Sequence, residues 1–254
     1  MRIIAVTNQK GGCAKTTTVV NLAAGLSELG KKVLVIDLDP QANSTQWLGV
    51  GSHEKSSYDL LASTHATLES VIQPSSIEGV DTVSAAKELV NLEKVLIGEL
   101  AIEGRLARKL KNLTVDSYDF VLIDTPPTLG LLTMNACVAA TELLVPVTTH
   151  VLTLAGVSQL ISKFNEITEI VNPGLKILGF LPSRVDLRTR HSRDVLNSLK
   201  ERFGQRVFDV FIRDCVFLAE APSFGESIFK YKPKSSAADD FRALALDVVS
   251  RVAI

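Results

Sequence analysis

Short, almost wholly apolar runs recur along the chain, separated by stretches whose apolar residues repeat at helical spacing. IIAVT (3–7), KVLVID (32–37), FVLID (120–124), ELLVPV (142–147) and KILGFLP (176–182) have strand length and little polar alternation. Such runs fit parallel strands covered on both faces. VFDVF (207–211) reads as a sixth strand. Val19, Leu22, Ala23, Leu26 and Leu29 form one helical stripe, with Gly30 as its stop. Leu154, Val157, Leu160, Ile161, Phe164 and Ile167 form another, closed by Asn172-Pro173-Gly174. A third helix starts at Ser235-Ser236 and Asp239-Asp240, with Phe241, Leu244, Val248 and Val252 as its buried face. Strand–helix alternation throughout predicts an α/β fold: a single doubly wound domain over residues 1–254, its mostly parallel sheet flanked by helices. Ligands of such sheets bind beyond the carboxyl ends of the strands, so the residues that follow each run form the candidate site.

Composition narrows the class without naming it. The chain has 254 residues, 46% hydrophobic and 22% charged, which excludes global disorder. Cys13, Cys137 and Cys215 are far apart and lack zinc spacing, so a reducing cytoplasm is the expected setting. The start MRIIAVTN has no signal-peptide pattern, and no apolar run reaches the roughly 20 residues of a membrane span. No histidine is placed as a base; His53, His65, His150 and His191 read as structural or surface residues.

The first run leads into Gln9-Lys10-Gly11-Gly12-Cys13-Ala14-Lys15-Thr16-Thr17-Thr18 and then a helix. The glycines let backbone N–H groups converge on a phosphate, and the following helix N-terminus adds positive dipole. Lys15 can reach β- and γ-phosphate oxygens, and the Thr16 hydroxyl can ligate magnesium, which takes hard oxygen donors. Gly11 to Thr17 are thus candidate ATP contacts. Two carboxylates, Asp37 and Asp39, end the second run, and strand alternation would put them on one face near the loop. Asp124 ends the FVLID run.

The loop has the form KGGxxKT rather than GxxxxGKT. With VLVIDLDPQANST, YDFVLIDTPPTLG and LAEAPSFGESIFKYKPKS, it resembles the deviant Walker ATPases of the ParA/MinD group, most closely the ParA/Soj-type partition ATPases. The likeness spans essentially the whole chain and implies a P-loop fold with ATP and Mg2+ as cofactors. It implies that Lys10 is a signature lysine reaching phosphates held by the other subunit of an ATP-bound homodimer, like an arginine finger in trans. It further implies that Asp39 positions the attacking water, and that Asp37 and Asp124 join Thr16 around the metal. Pro182, Ser183, Arg184, Asp186, Ala221, Pro222 and Phe224 would frame the base, with Arg184 and Pro222 as ATP contacts. Slow basal turnover raised by a ParB-like or other small adaptor is part of the same expectation. Ala14 departs from the pattern, since most relatives carry glycine there.

The net charge of −1 hides an uneven distribution. Residues 176–234 hold 12 Lys and Arg against 7 Asp and Glu, whereas the rest holds 15 against 21. A basic face of that kind binds phosphate backbones without reading sequence. The resemblance makes nonspecific DNA the expected partner and the nucleoid the expected location, with Arg188, Arg190, Arg193, Arg213, Lys230 and Lys232 as contacts. Phe217 stands where close relatives often place a DNA-binding arginine, directly before LAEAP. A MinD-like membrane role is the weaker alternative, because the end FRALALDVVSRVAI carries only Arg242 and Arg251 as cations, so no stable membrane binding is expected. ParA-like positioning of carboxysomes or another protein complex is the closer alternative to plasmid or chromosome partition.

Overall fold

A computed structural model of the chain describes residues 1–51, 55–113, 117–149, 162, 165–169 and 172–253. Seven strands form one sheet: β1 (Arg2–Val6), β2 (Val33–Asp37), β3 (Ile72–Pro74), β4 (Val80–Val83), β5 (Phe120–Asp124), β6 (Glu142–Thr148) and β7 (Lys176–Ser183). Their order is β3-β4-β2-β5-β1-β6-β7, parallel throughout except for the antiparallel β3–β4 pair. The five long runs read as strands in the sequence are all strands. β3 and β4 escape that reading because they are short and interrupted by Gln73, Pro74 and Asp81.

The helices are α1 (Lys15–Glu28), α2 (Asn43–Trp47), α3 (Ser57–Ala62), α4 (Leu92–Val95), α5 (Arg105–Leu110), α6 (Leu131–Ala139), α7 (Arg190–Phe203), α8 (Phe217–Glu220), α9 (Ile228–Tyr231) and α10 (Ser236–Ser250). Both sheet faces are covered, as continuous apolar strands require. Ala5, Leu34, Ile36, Val121, Ile123 and Leu143 pack with residues of α3 to α6. Their alternate neighbours Ile4, Val6, Val33, Val35, Leu122 and Leu144 pack with α1 and α10. Gly25 permits the close α1–α10 approach, since a Cβ there would lie 3.1 Å from Ala245 Cβ. α1 ends where predicted, with Gly30 at φ +73. Ser235 caps α10 by accepting from the Ala238 N–H at 3.2 Å.

Residues 207–211 do not form the predicted sixth strand. Beside β7 they make one parallel bridge, Phe180 to Val207, and the next bond to that strand is Ile212 N–H to the Pro182 carbonyl. Between these points Asp209 turns outward to Lys200, at 3.0 Å. Apolarity here serves a different end: Phe208 is fully buried against Gly179, where a Cβ would sit 2.5 Å from its ring. Most of the helical stripe from Leu154 to Ile167 lies outside the described residues, although 165–169 are helical. Asn172, predicted only to end that helix, donates to the carbonyls of Cys137 and Ala140 and so closes α6.

Candidate nucleotide-binding site

β1 and β2 flank β5 in register, so Asp37 and Asp124 stand side by side at the carboxyl edge of the sheet. The loop after β1 is shaped by its own side chains. Asn8 donates to the Pro146 carbonyl at 2.7 Å and accepts from the Lys10 N–H at 3.1 Å. Cys13 is buried and its thiol donates to the Lys10 carbonyl at 2.9 Å. Gly12 and Ala14 both take left-handed backbone, at φ +71 and φ 65. No side chain caps α1, so the first N–H groups of this 14-residue helix stay available to an anion.

A cleft of about 710 Å³ opens above this loop. It brings together Gly11, Gly12, Cys13, Ala14, Lys15, Thr16, Thr17 and Asp39, with Arg184 from the far side. Ser183 of the expected base-framing group also lines it. Ile212 to Val216, Leu218 and Ala219 line it too; sequence reasoning gave a site role only to Arg213 among these, as a DNA contact, and missed them as part of the cleft. Lys10 is exposed and not part of this lining, and Pro222 lies in a 3-10 turn (Ala221–Phe224) that the lining likewise leaves out.

The carboxylates are held differently from one another. Thr16 Oγ1 donates to Asp124 Oδ2 at 2.8 Å, and the Ser44 hydroxyl donates to the same oxygen. Asp124 Oδ1 is buried with no hydrogen-bond partner among the described residues. Asp37 has both oxygens engaged: Oδ1 accepts from Asp39 N–H at 3.0 Å, and Oδ2 accepts from the Thr45 amide and hydroxyl. Alternation does not carry Asp39 onto the same strand face, because β2 stops at Asp37. A turn places it instead, with its Oδ1 accepting from Gln41 N–H at 3.0 Å.

Burial raises the pKa of Asp37 and Asp124 above the usual carboxylate range, and the charge of Asp124 adds to the effect on Asp37. Two buried carboxylates resist ionising together unless a cation joins them. A bare oxygen on Asp124, beside the Thr16 hydroxyl and an anion-binding loop, fits a hard dication that keeps waters and phosphate oxygens as its other ligands. His65 and His191 are exposed, and His53 and His150 lie outside the described residues.

The family described as AAA domain matches residues 1–177. The sporulation initiation inhibitor protein Soj of Bacillus subtilis is 38% identical over 98% of both chains. The chain belongs to this family, among its ParA-like ATPases. The chromosome-partitioning ATPase Soj of Thermus thermophilus is 41% identical to it over 99% of this chain and 97% of its own. A solved structure titled cobyrinic acid a,c-diamide synthase from Mycobacterium smegmatis, with bound ATP analogue and magnesium, superimposes with TM-score 0.86 at 35% identity, covering 98% of this chain and 94% of its own. Among the described residues of this ParA-like ATPase, no helix is long and apolar enough to cross a membrane.

Proposed function

We propose that the chain is a Mg2+-dependent partition ATPase that dimerises on ATP, binds nonspecific DNA as a dimer, and releases it when an adaptor triggers hydrolysis. The observation that carries the nucleotide chemistry is the uncapped start of α1 beside the bare oxygen of Asp124. Lys15 and the loop amides hold the phosphates, Thr16 and Asp124 hold the metal, and Asp37 orders the loop that bears Asp39. The bound dication would neutralise charge on the transferring phosphoryl group. Asp39 orients water for in-line attack. Lys10, exposed at the start of the loop, serves the facing subunit.

The chromosome-partitioning ATPase Soj, alike over nearly the whole chain, favours a chromosome over a protein organelle as cargo. Contacts support continuity of the basic surface. Val185 bridges to Arg213, and Lys232 lies 5.1 Å over the ring of Phe217, the residue that replaces the relatives' arginine. Arg188, Arg190, Arg193, Lys230 and Lys232 are all exposed. Arg213 is committed elsewhere, because its guanidinium forks onto Asp240 at 2.6 Å and donates to the Ser236 carbonyl.

The test is retention of a nonspecific duplex at low salt with Mg–ATP or Mg–ADP. Retention with ATP alone is expected; equal retention with both nucleotides, or with neither, sinks the reading. Lys10→Ala should remain a monomer by light scattering with ATP, and a stable dimer would remove its role in trans. Asp39→Ala should hold ATP and DNA without turnover.

A further inference from the structure

Two side chains join the nucleotide-binding elements to a distant stretch of backbone. Trp47, the chain's one tryptophan, is 3% exposed at the end of α2 and donates its Nε1–H to the Glu226 carbonyl at 2.7 Å. Asn21, fully buried in α1, accepts from the Ile228 N–H at 2.8 Å and donates to the Thr17 carbonyl at 2.9 Å. The two bonds grip residues 226 and 228 from helices that start at the two halves of the site.

The contacts close a ring. From Asp124 it runs through Thr16 into α1, through Asn21 to Ile228, back along the chain to Glu226, across to Trp47, and along α2 to Ser44, which returns to Asp124. α2 spans five residues, about 7 Å of helix, too short to absorb a displacement at either end. Its first turn is fastened to both carboxylates, by Ser44 to Asp124 and by Thr45 to Asp37. Thr16 and Ser44 share a single oxygen of Asp124, so a ligand that recruits the Thr16 hydroxyl or that carboxylate changes what Ser44 holds.

We propose that Trp47 and Asn21 are positioning residues that tie the pose of residues 225–232 to occupancy of the phosphate site. That stretch carries Lys230 and Lys232, and Ser76 secures its start through the Gly225 carbonyl at 3.3 Å. The ring takes from the proposed function that Mg–ATP enters the cleft. It explains how nucleotide would alter the placement of Lys230 and Lys232, neither of which lines the cleft.

The experiment is amide hydrogen exchange with and without Mg–ATP, alongside the emission of Trp47. In the unaltered protein, Mg–ATP should change exchange at 226–232 by about fivefold, the equilibrium worth of one hydrogen bond, and shift the tryptophan emission. Trp47→Phe keeps an aromatic side chain but deletes the donor to the Glu226 carbonyl. It should bind Mg–ATP with nearly unchanged affinity yet lose the response at 226–232. Ser44→Ala should lose the same response from the other end of α2, and the double variant should be no worse than either single one. An unaltered response in Trp47→Phe, additive losses in the double variant, or no response in the unaltered protein would overturn the proposal. None of these readouts needs DNA. Failure of the DNA reading leaves them standing, while failure of the ring leaves ATP-dependent DNA retention intact.

Discussion

The carboxyl edge of the sheet handles charge in two ways. Beyond β1, β2 and β5 the charges other than Lys10 are buried: Asp37 and Asp124 are fully inaccessible, and Lys15 is 7% exposed. Beyond β7 they stand in water. Arg188 and Arg190 have side chains 90% exposed, one held to Asp186 at 2.9 Å and the other to Asp194 at 3.6 Å. Desolvation makes the first group depend on its partners, so removing one member leaves the rest with an uncompensated charge. Screening makes the second group nearly independent of its pairs, which contribute little to stability and leave the cations usable by a polyanion. The first half suits chemistry and the second suits graded, salt-sensitive association.

The largest effect should come from the buried half. Lys15→Ala removes the buried ammonium of the loop, and ATP turnover should fall about 100-fold or more, as when a preorganised donor is lost from a transition state. A steady-state phosphate-release assay reads this; a fall below tenfold would mean that Lys15 is a peripheral charge.

That half was also the more legible in sequence. A strand, two glycines, a lysine and a threonine before a helix define a local geometry, and Asp124 follows directly from the strand it ends. What escaped were its supports. Ser44 and Thr45 sit in a polar stretch without hydrophobic period, and their partners lie 80 and 8 residues away. Trp47 is not singled out at all, yet its donor finds an acceptor 179 residues on. Hydrophobic period announces strands and helices, but it carries no information about which hydroxyl meets which carboxylate across the fold. The apolar run at 207–211 shows the converse. It marks burial of Phe208 beside β7, and a strand does not follow from burial alone.

Arg213 straddles the two regimes. Its side chain is 43% exposed, but Asp240 beneath it is 10% exposed and receives the guanidinium in a fork. Arg213→Ala should therefore cost about 2 kcal/mol of stability, less than a fully buried pair would, because solvent still reaches the arginine. Thermal unfolding should drop by about 4–8 °C for a domain of this size. A variant as stable as the parent but deficient in DNA binding would move Arg213 into the solvated group.

Smaller effects belong to the exposed arginines. Arg188→Glu and Arg193→Glu should each leave ATP binding and melting temperature unchanged while weakening duplex retention severalfold. If each contacts one phosphate, the slope of log affinity against log salt should decrease by about 1 per variant. A loss of retention with an unchanged slope would point to misfolding or a failed dimer instead of a lost phosphate contact.

Ala14 should give the smallest change, and it tests how tightly the buried half constrains its backbone. The residue holds φ 65 and ψ 28 at the start of α1, a left-handed conformation that costs an L side chain roughly 1–2 kcal/mol and glycine almost nothing. Ala14→Gly relieves that cost but widens the unfolded ensemble, which offsets about 0.5–1 kcal/mol. A net gain of about 0.5 kcal/mol is expected, read as a melting temperature about 1–2 °C higher. Mg–ATP affinity should stay within about twofold, because Thr18 already fixes the loop end by donating its amide and hydroxyl to the Ala14 carbonyl at 2.9 and 2.7 Å, and neither bond involves the methyl group. A lower melting temperature would mean that the half-buried methyl contributes more by packing than it costs in strain, and the loop would then owe its shape partly to alanine.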